Sequence, residues 1–237
     1  MRALAAIFAI FAVSFIAPTA HAFRTAAAFN TAARDGGGGS RHFTGSIGDG
    51  YTCAVCHRGG EVDPVEIQGV PYDGYVPGGT YEIEILLPPT PDATSLSMEL
   101  TDMRGAKVGS LLVPADLGEQ DRCDDGTDAT GSVTLPNDRT VIAMDACGAE
   151  RVRAMWTAPL EPPGAIWFHA VVVTADGSGD PEGDGVQAIA QVIPVAGTSA
   201  EATRIGSTAC SATGSSPAPA APIALALGVL ALRRRRR

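Results

Sequence analysis

The chain has 237 residues, 45% of them hydrophobic, and a formal net charge of −9. All six arginines at positions 2 and 233–237 lie in acid-free end segments, so the rest of the chain carries −15. A surface this acidic excludes nucleic acid as a partner, because phosphate binding needs a basic footprint. Between the two ends lie about 190 residues, enough for one domain with a real core.

The first 22 residues read as a signal peptide. Met1-Arg2 is a short basic start, residues 3–17 are apolar and uncharged, and Ala20-His21-Ala22 has the small-x-small form that places cleavage after Ala22. The run is shorter than the roughly 20 apolar residues of a membrane span. Residues 23–43 are rich in Ala and Gly, with Gly36 to Gly39 in a row, and read as a flexible leader. The domain proper is expected over 44–196.

Near its start stands Cys53-Ala54-Val55-Cys56-His57. Cys-x-x-Cys-His is the attachment sequence for haem c: two thiols add to the porphyrin vinyl groups, and the histidine beside them is placed to bind the iron. Cys53 and Cys56 would hold the group, and His57 would be the proximal ligand. His42, His169, Met98, Met103, Met144 and Met155 are the candidates for a sixth ligand, although His169 and the methionines also suit plain packing. The competing chemistry is a Cys53–Cys56 disulfide that staples a loop, with His57 on the surface. Zinc needs four ligands, and only His42 and His169 remain as further nitrogen donors.

Beyond the motif the hydrophobic period is two. Tyr81, Ile83 and Ile85 alternate with Glu82 and Glu84, and Leu96, Met98 and Leu100 alternate with Ser97 and Glu99, the pattern of half-buried strands. Further strands are expected over 65–70, 107–113, 131–135, 140–145, 152–157, 165–174 and 186–195. The segment 165–174 is apolar in both alternating sets except at His169, which predicts a central strand. Gly, Pro and Asp clusters separate these runs, and no helical stripe is sustained. Seven to nine strands of this kind predict an all-β sandwich. Two acidic loops, Asp124 to Asp128 and Asp176 to Asp180, lack calcium-loop spacing and read as solvated turns. No nucleophile motif, phosphate loop or carboxylate pair points to an enzyme.

Cys123 and Cys147 remain once the motif pair and Cys210 are set apart, and in an oxidising compartment they are expected to pair. Residues 197–217 read as a Gly/Ser/Ala/Pro stalk. After Cys210, an apolar stretch over 218–232 leads to five terminal arginines, a basic end that stays on the cytoplasmic side.

This tail, residues 210–237, resembles the myxobacterial C-terminal sorting signal MYXO-CTERM in the order of its cysteine, apolar stretch and arginine run. The resemblance implies processing near Cys210, a lipid on that residue or an apolar anchor, and display at the cell surface or outer membrane, or in the periplasm. Inside the domain, Phe43-Thr44-Gly45-Ser46, Gly48 to Thr52, Tyr75-Val76-Pro77-Gly78-Gly79-Thr80-Tyr81, Trp156 to Pro159 and Gly183-Asp184 together resemble bacterial reeler-type, or choice-of-anchor, domains. That likeness implies an immunoglobulin-like sandwich on a surface-anchored protein; the surface or redox partner of the chain is unspecified by its residues. Two functions follow for the chain. One is a haem-bearing module for electron transfer or sensing; the other is a non-redox binding or adhesion module.

Overall fold

The computed structural model describes residues 26–35, 37–88, 94–135 and 138–198. The signal peptide with Ala22, the Cys210 tail and nearly all of the stalk lie outside the described residues.

All nine expected strands form. They are β2 (Glu66–Gln68), β3 (Thr80–Leu86), β4 (Thr94–Asp102), β5 (Ser110–Leu112), β6 (Thr130–Thr134), β7 (Thr140–Met144), β8 (Arg151–Thr157), β9 (Ile166–Thr174) and β10 (Glu182–Ile193). A two-residue strand, β1 (Arg58–Gly59), precedes them. Two sheets result, one in the order β1-β10-β9-β4-β7-β6 and one in the order β2-β3-β8-β5. The fold is an all-β sandwich, and β9 is internal to the larger sheet, as its apolar run requires.

Alternation builds the core between the sheets. Ile83, Ile85, Val152, Ala154 and Trp156 project from the smaller sheet; Leu96, Met98, Leu100, Ile142, Met144, Ile166, Phe168, Ala170 and Val172 project from the larger. Trp156 is fully buried between Tyr75 and Tyr81, each ring 5.5 Å away, and its indole N–H donates to the Val108 carbonyl at 3.0 Å. Burial of that aromatic therefore leaves no polar atom unpaired. The Tyr81 hydroxyl accepts from the Val76 amide at 2.7 Å, which folds the Pro77-Gly78-Gly79 turn back on the strand it introduces.

The outer face of the larger sheet departs from the expected half-buried pattern. Ser97, Glu99 and Thr101 of β4 are buried beneath the N-terminal segment. Glu99 meets Arg139, whose Nε lies 2.9 Å from its carboxylate, and also accepts from the Thr44 hydroxyl; Arg139 reaches Ser46 Oγ at 2.8 Å. The described part of the 23–43 segment is likewise packed rather than a free leader. A short helix, α1 (Ala26–Asn30), brings Phe29 onto Val133, Leu135, Val141 and Ala143, and Phe29 stacks on His42 at 5.2 Å. Two aromatic rings in an Ala/Gly-rich stretch supply the apolar area that its average composition hides.

Cys123 and Cys147 form a disulfide, as cysteine arithmetic requires. The loop that leads to Cys123 is also clamped onto β8. Arg151 and Arg153 converge on the buried Asp121 carboxylate, with contacts of 2.7 and 2.8 Å, while the Gly118 amide donates to it at 2.6 Å. Burial pushes the Asp121 carboxyl upward, but the hydrogen bonds from Arg151, Arg153 and Gly118 outweigh it and hold its pKa below the usual carboxylate value. A depressed folded-state pKa means stability that is present above the unfolded value and lost as pH falls through the folded one. Asp121→Asn is therefore expected to cost about 3 kcal/mol near neutral pH, as for breaking a buried ion pair. The gap to wild type should narrow below about pH 4. Urea denaturation midpoints of both proteins at pH 7 and pH 3 measure this.

Candidate functional site at the Cys-x-x-Cys-His turn

The motif is held by a compact run of local structure. The Asp49 carboxylate accepts from the His42 and Thr44 amides at 3.1 and 3.0 Å, and Gly45 N–H donates to the Tyr51 carbonyl at 2.7 Å. These bonds, with the Thr44–Thr52 bridge, deliver the chain to Thr52, where it turns. Cys53–Val55 form one 3₁₀ turn, and the carbonyl of Cys53 accepts from both Cys56 and His57, at 3.1 and 2.9 Å. The chain here is a single helical turn rather than the longer helix usual after such a motif.

Both thiols are unbridged, in contrast to Cys123 and Cys147. Cys56 is exposed, whereas Cys53 is half-buried where the turn packs on β9. Burial pushes the Cys53 thiol up to about 12, so it is protonated at neutral pH in this fold.

After the turn the chain pairs with the start of β10. Arg58 N–H donates to the Pro181 carbonyl, β1 runs parallel to β10, and Gly60 N–H donates to the Asp184 carbonyl at 3.1 Å. This approach requires two glycines. A Cβ on Gly60 would lie 2.0 Å from the Gly183 carbonyl oxygen, and one on Gly185 would lie 1.8 Å from that of Glu61. The pairing carries His57 onto Asp184, with Nδ1 2.6 Å from Oδ2. The His57 side chain is 32% exposed and that of Asp184 only 5%. The second oxygen of Asp184 accepts from the Asp176 amide at 3.0 Å. Glu61, Asp63, Thr174, Asp176 and Gly183 line a shallow acidic cleft beside the pair.

Several apolar side chains close to the motif in sequence are exposed. Tyr51, Val55, Ile47 and Val62 are all exposed, and the Arg41 guanidinium lies 3.9 Å from the centre of the Tyr51 ring.

The proposed sixth ligands are scattered. Met98 and Met144 are locked in the core between the sheets. Met155 lies on the outer face of the smaller sheet, next to Trp156 in alternation, and Met103 sits in the turn after β4. His42 is buried against Phe29 and is not on a mobile leader. His169 is buried on the outer face of the larger sheet, stacked on Trp167 at 5.7 Å, with neither ring nitrogen hydrogen-bonded. Burial lowers its pKa, against the opposing effect of Glu99. Its register partner on β10 is Ala190, six residues from Asp184, or about 20 Å of strand. His169 thus lies in the middle of β9, six residues of β10 away from the carboxylate that holds His57. Among the described residues no three His, Cys, Asp or Glu side chains form a metal-binding group.

Asp184 is the residue that sequence reasoning missed as a site component. It lies 127 positions from His57, and its Gly-Asp-Gly setting reads as a turn. Gly185→Ala is expected to detach the 57–62 segment, seen as faster amide hydrogen exchange there and a lower melting temperature, with the β3–β8 ladder unchanged in exchange.

No protein-family model matches the chain, and no curated protein does. Among solved structures it is similar to the Reelin-N domain of F-spondin, at 12% identity and a TM-score of 0.36 over 59% of this chain and 94% of that one. It is also similar to a human F-spondin reeler domain, at 15% identity and a TM-score of 0.33 over 57% and 93% of the two chains. A DUF4466 family protein from Parabacteroides merdae shares 12% identity at a TM-score of 0.26, over 56% of this chain and 46% of that one.

Proposed function

We propose that the chain is an exported, non-catalytic β-sandwich module displayed at the cell surface. The observation that carries this reading is the Cys123–Cys147 disulfide, because such bonds persist outside the cytoplasm. The apolar and arginine-rich tail supports anchoring. Mass spectrometry of the protein isolated unreduced from its own cells should find Phe23 as the N-terminus and Cys123 joined to Cys147. A chain that still begins at Met1, with both cysteines open to alkylation, would overturn the proposal.

A second reading concerns what the module carries. The Cys53–His57 turn supports attachment of one haem c, on the observation that both thiols of the motif are unbridged and that the adjoining imidazole is held through Nδ1. Each S–H would add across one vinyl C=C, forming a thioether with no leaving group. The bound group would supply one-electron chemistry or ligand sensing. Cys53 and Cys56 would hold it, His57 would offer Nε2, and Tyr51 and Val55 would border it. The buried Cys53 thiol has to react before the turn docks on β9, which fits attachment to an unfolded chain. Against it stands the plain binding module, favoured by that same burial, in which the turn only closes a loop. Expression of the full chain with a c-type maturation system, followed by a haem stain on a denaturing gel, separates the two. Stain in wild type and its loss in Cys53→Ala and Cys56→Ala is the expected result; a colourless wild type would leave the binding module.

A further inference from the structure

We propose that Asp184 is a positioning residue for haem binding, fixing the His57 ring and setting the electron density on its outward nitrogen. The inference rests on haem attachment at Cys53 and Cys56. It begins from an imbalance: a carboxylate only 5% exposed is spent on a histidine that is 32% exposed. A surface histidine needs no such partner, and a buried carboxylate is costly unless its lone pairs are used. Here they are used. One oxygen accepts from the Asp176 amide at 3.0 Å, the other faces His57 Nδ1 at 2.6 Å, and the residue's main-chain carbonyl accepts from Gly60. The carboxylate is held from both sides before any ligand arrives.

A carboxylate at this distance accepts from an imidazole N–H, so in the neutral ring the contact favours the proton on Nδ1 and leaves the lone pair to Nε2. Among the described residues no hydrogen bond engages Nε2. This is the tautomer a metal-binding imidazole needs, and a carboxylate that accepts from the other ring nitrogen also raises the basicity of the ligating one. A more basic proximal nitrogen favours oxidised iron over reduced, so Asp184 would lower the reduction potential. The arrangement equips the site for a low-potential electron carrier or a sensor that rests in the oxidised state.

The test uses the full chain matured with haem, as wild type and as Asp184→Asn, which keeps the side chain's shape and removes its charge. Both proteins are expected to stain for haem, with the potential of Asp184→Asn shifted upward. Haem in both with equal potentials would overturn the proposal. A second measurement is independent of loading: long-range nitrogen-15 spectra of His57 in the haem-free chain. Wild type should show the Nδ1–H tautomer, and Asp184→Ala a mixture with Nε2–H. A mixture already in wild type would overturn the positioning role. A colourless wild type with a fixed tautomer would refute haem attachment and the tuning of potential, while upholding the positioning of the ring.

Discussion

The molecule depends on β9 being paired along its whole length on both sides. Its nine residues match β10 from Ile193 to Gly185 and β4 from Asp102 to Thr94. A strand so placed has no edge and no face that meets water easily. One face finds the core of the smaller sheet. The other must be covered by something else, and the chain that does so is the N-terminal segment that carries the Cys-x-x-Cys-His turn. The site therefore follows from the need to cover a sheet, since the turn is part of the cover.

Covering that face brought a charge with it. Glu99 sits in the middle of β4 where the cover presses down, and it is tolerated because Arg139, Thr44 and Ser46 converge on it. Arg139 adjoins the edge hairpin of β6 and β7, while Thr44 and Ser46 belong to the cover. The buried ion pair thus ties three parts of the chain together, and its demand for full pairing makes the placement of the cover specific.

Much of the sandwich was legible in the sequence, because a period of two survives wherever one face is apolar. Every expected strand forms, and cysteine arithmetic found the Cys123–Cys147 pair. Legibility failed where partners are distant or small. β10 begins at Glu182, ahead of the apolar run, since its first residues are held by β1 and by close glycine contacts, not by hydrophobic burial. Glu99 looked solvent-facing because its counter-charge lies 40 positions away. The leader looked free because Ala and Gly outnumber the two rings that pack. Of the site, the thiols and His57 were visible in five adjacent residues, whereas Asp184 carries no local signal that separates it from any turn aspartate.

The two-residue strand β1 has a consequence for one edge of the larger sheet. It occupies the outer side of β10 at its start, and Tyr75 pairs across the other end at Val195. Both ends of a twelve-residue border strand are thereby blocked to a second chain. The segment after His57 is in this sense an edge guard. If the turn is lifted from the sheet, by modification, by ligand or by substitution, it uncovers backbone ready to recruit another molecule. The position of the cysteine turn and the cover on this sheet edge therefore rest on the same few hydrogen bonds.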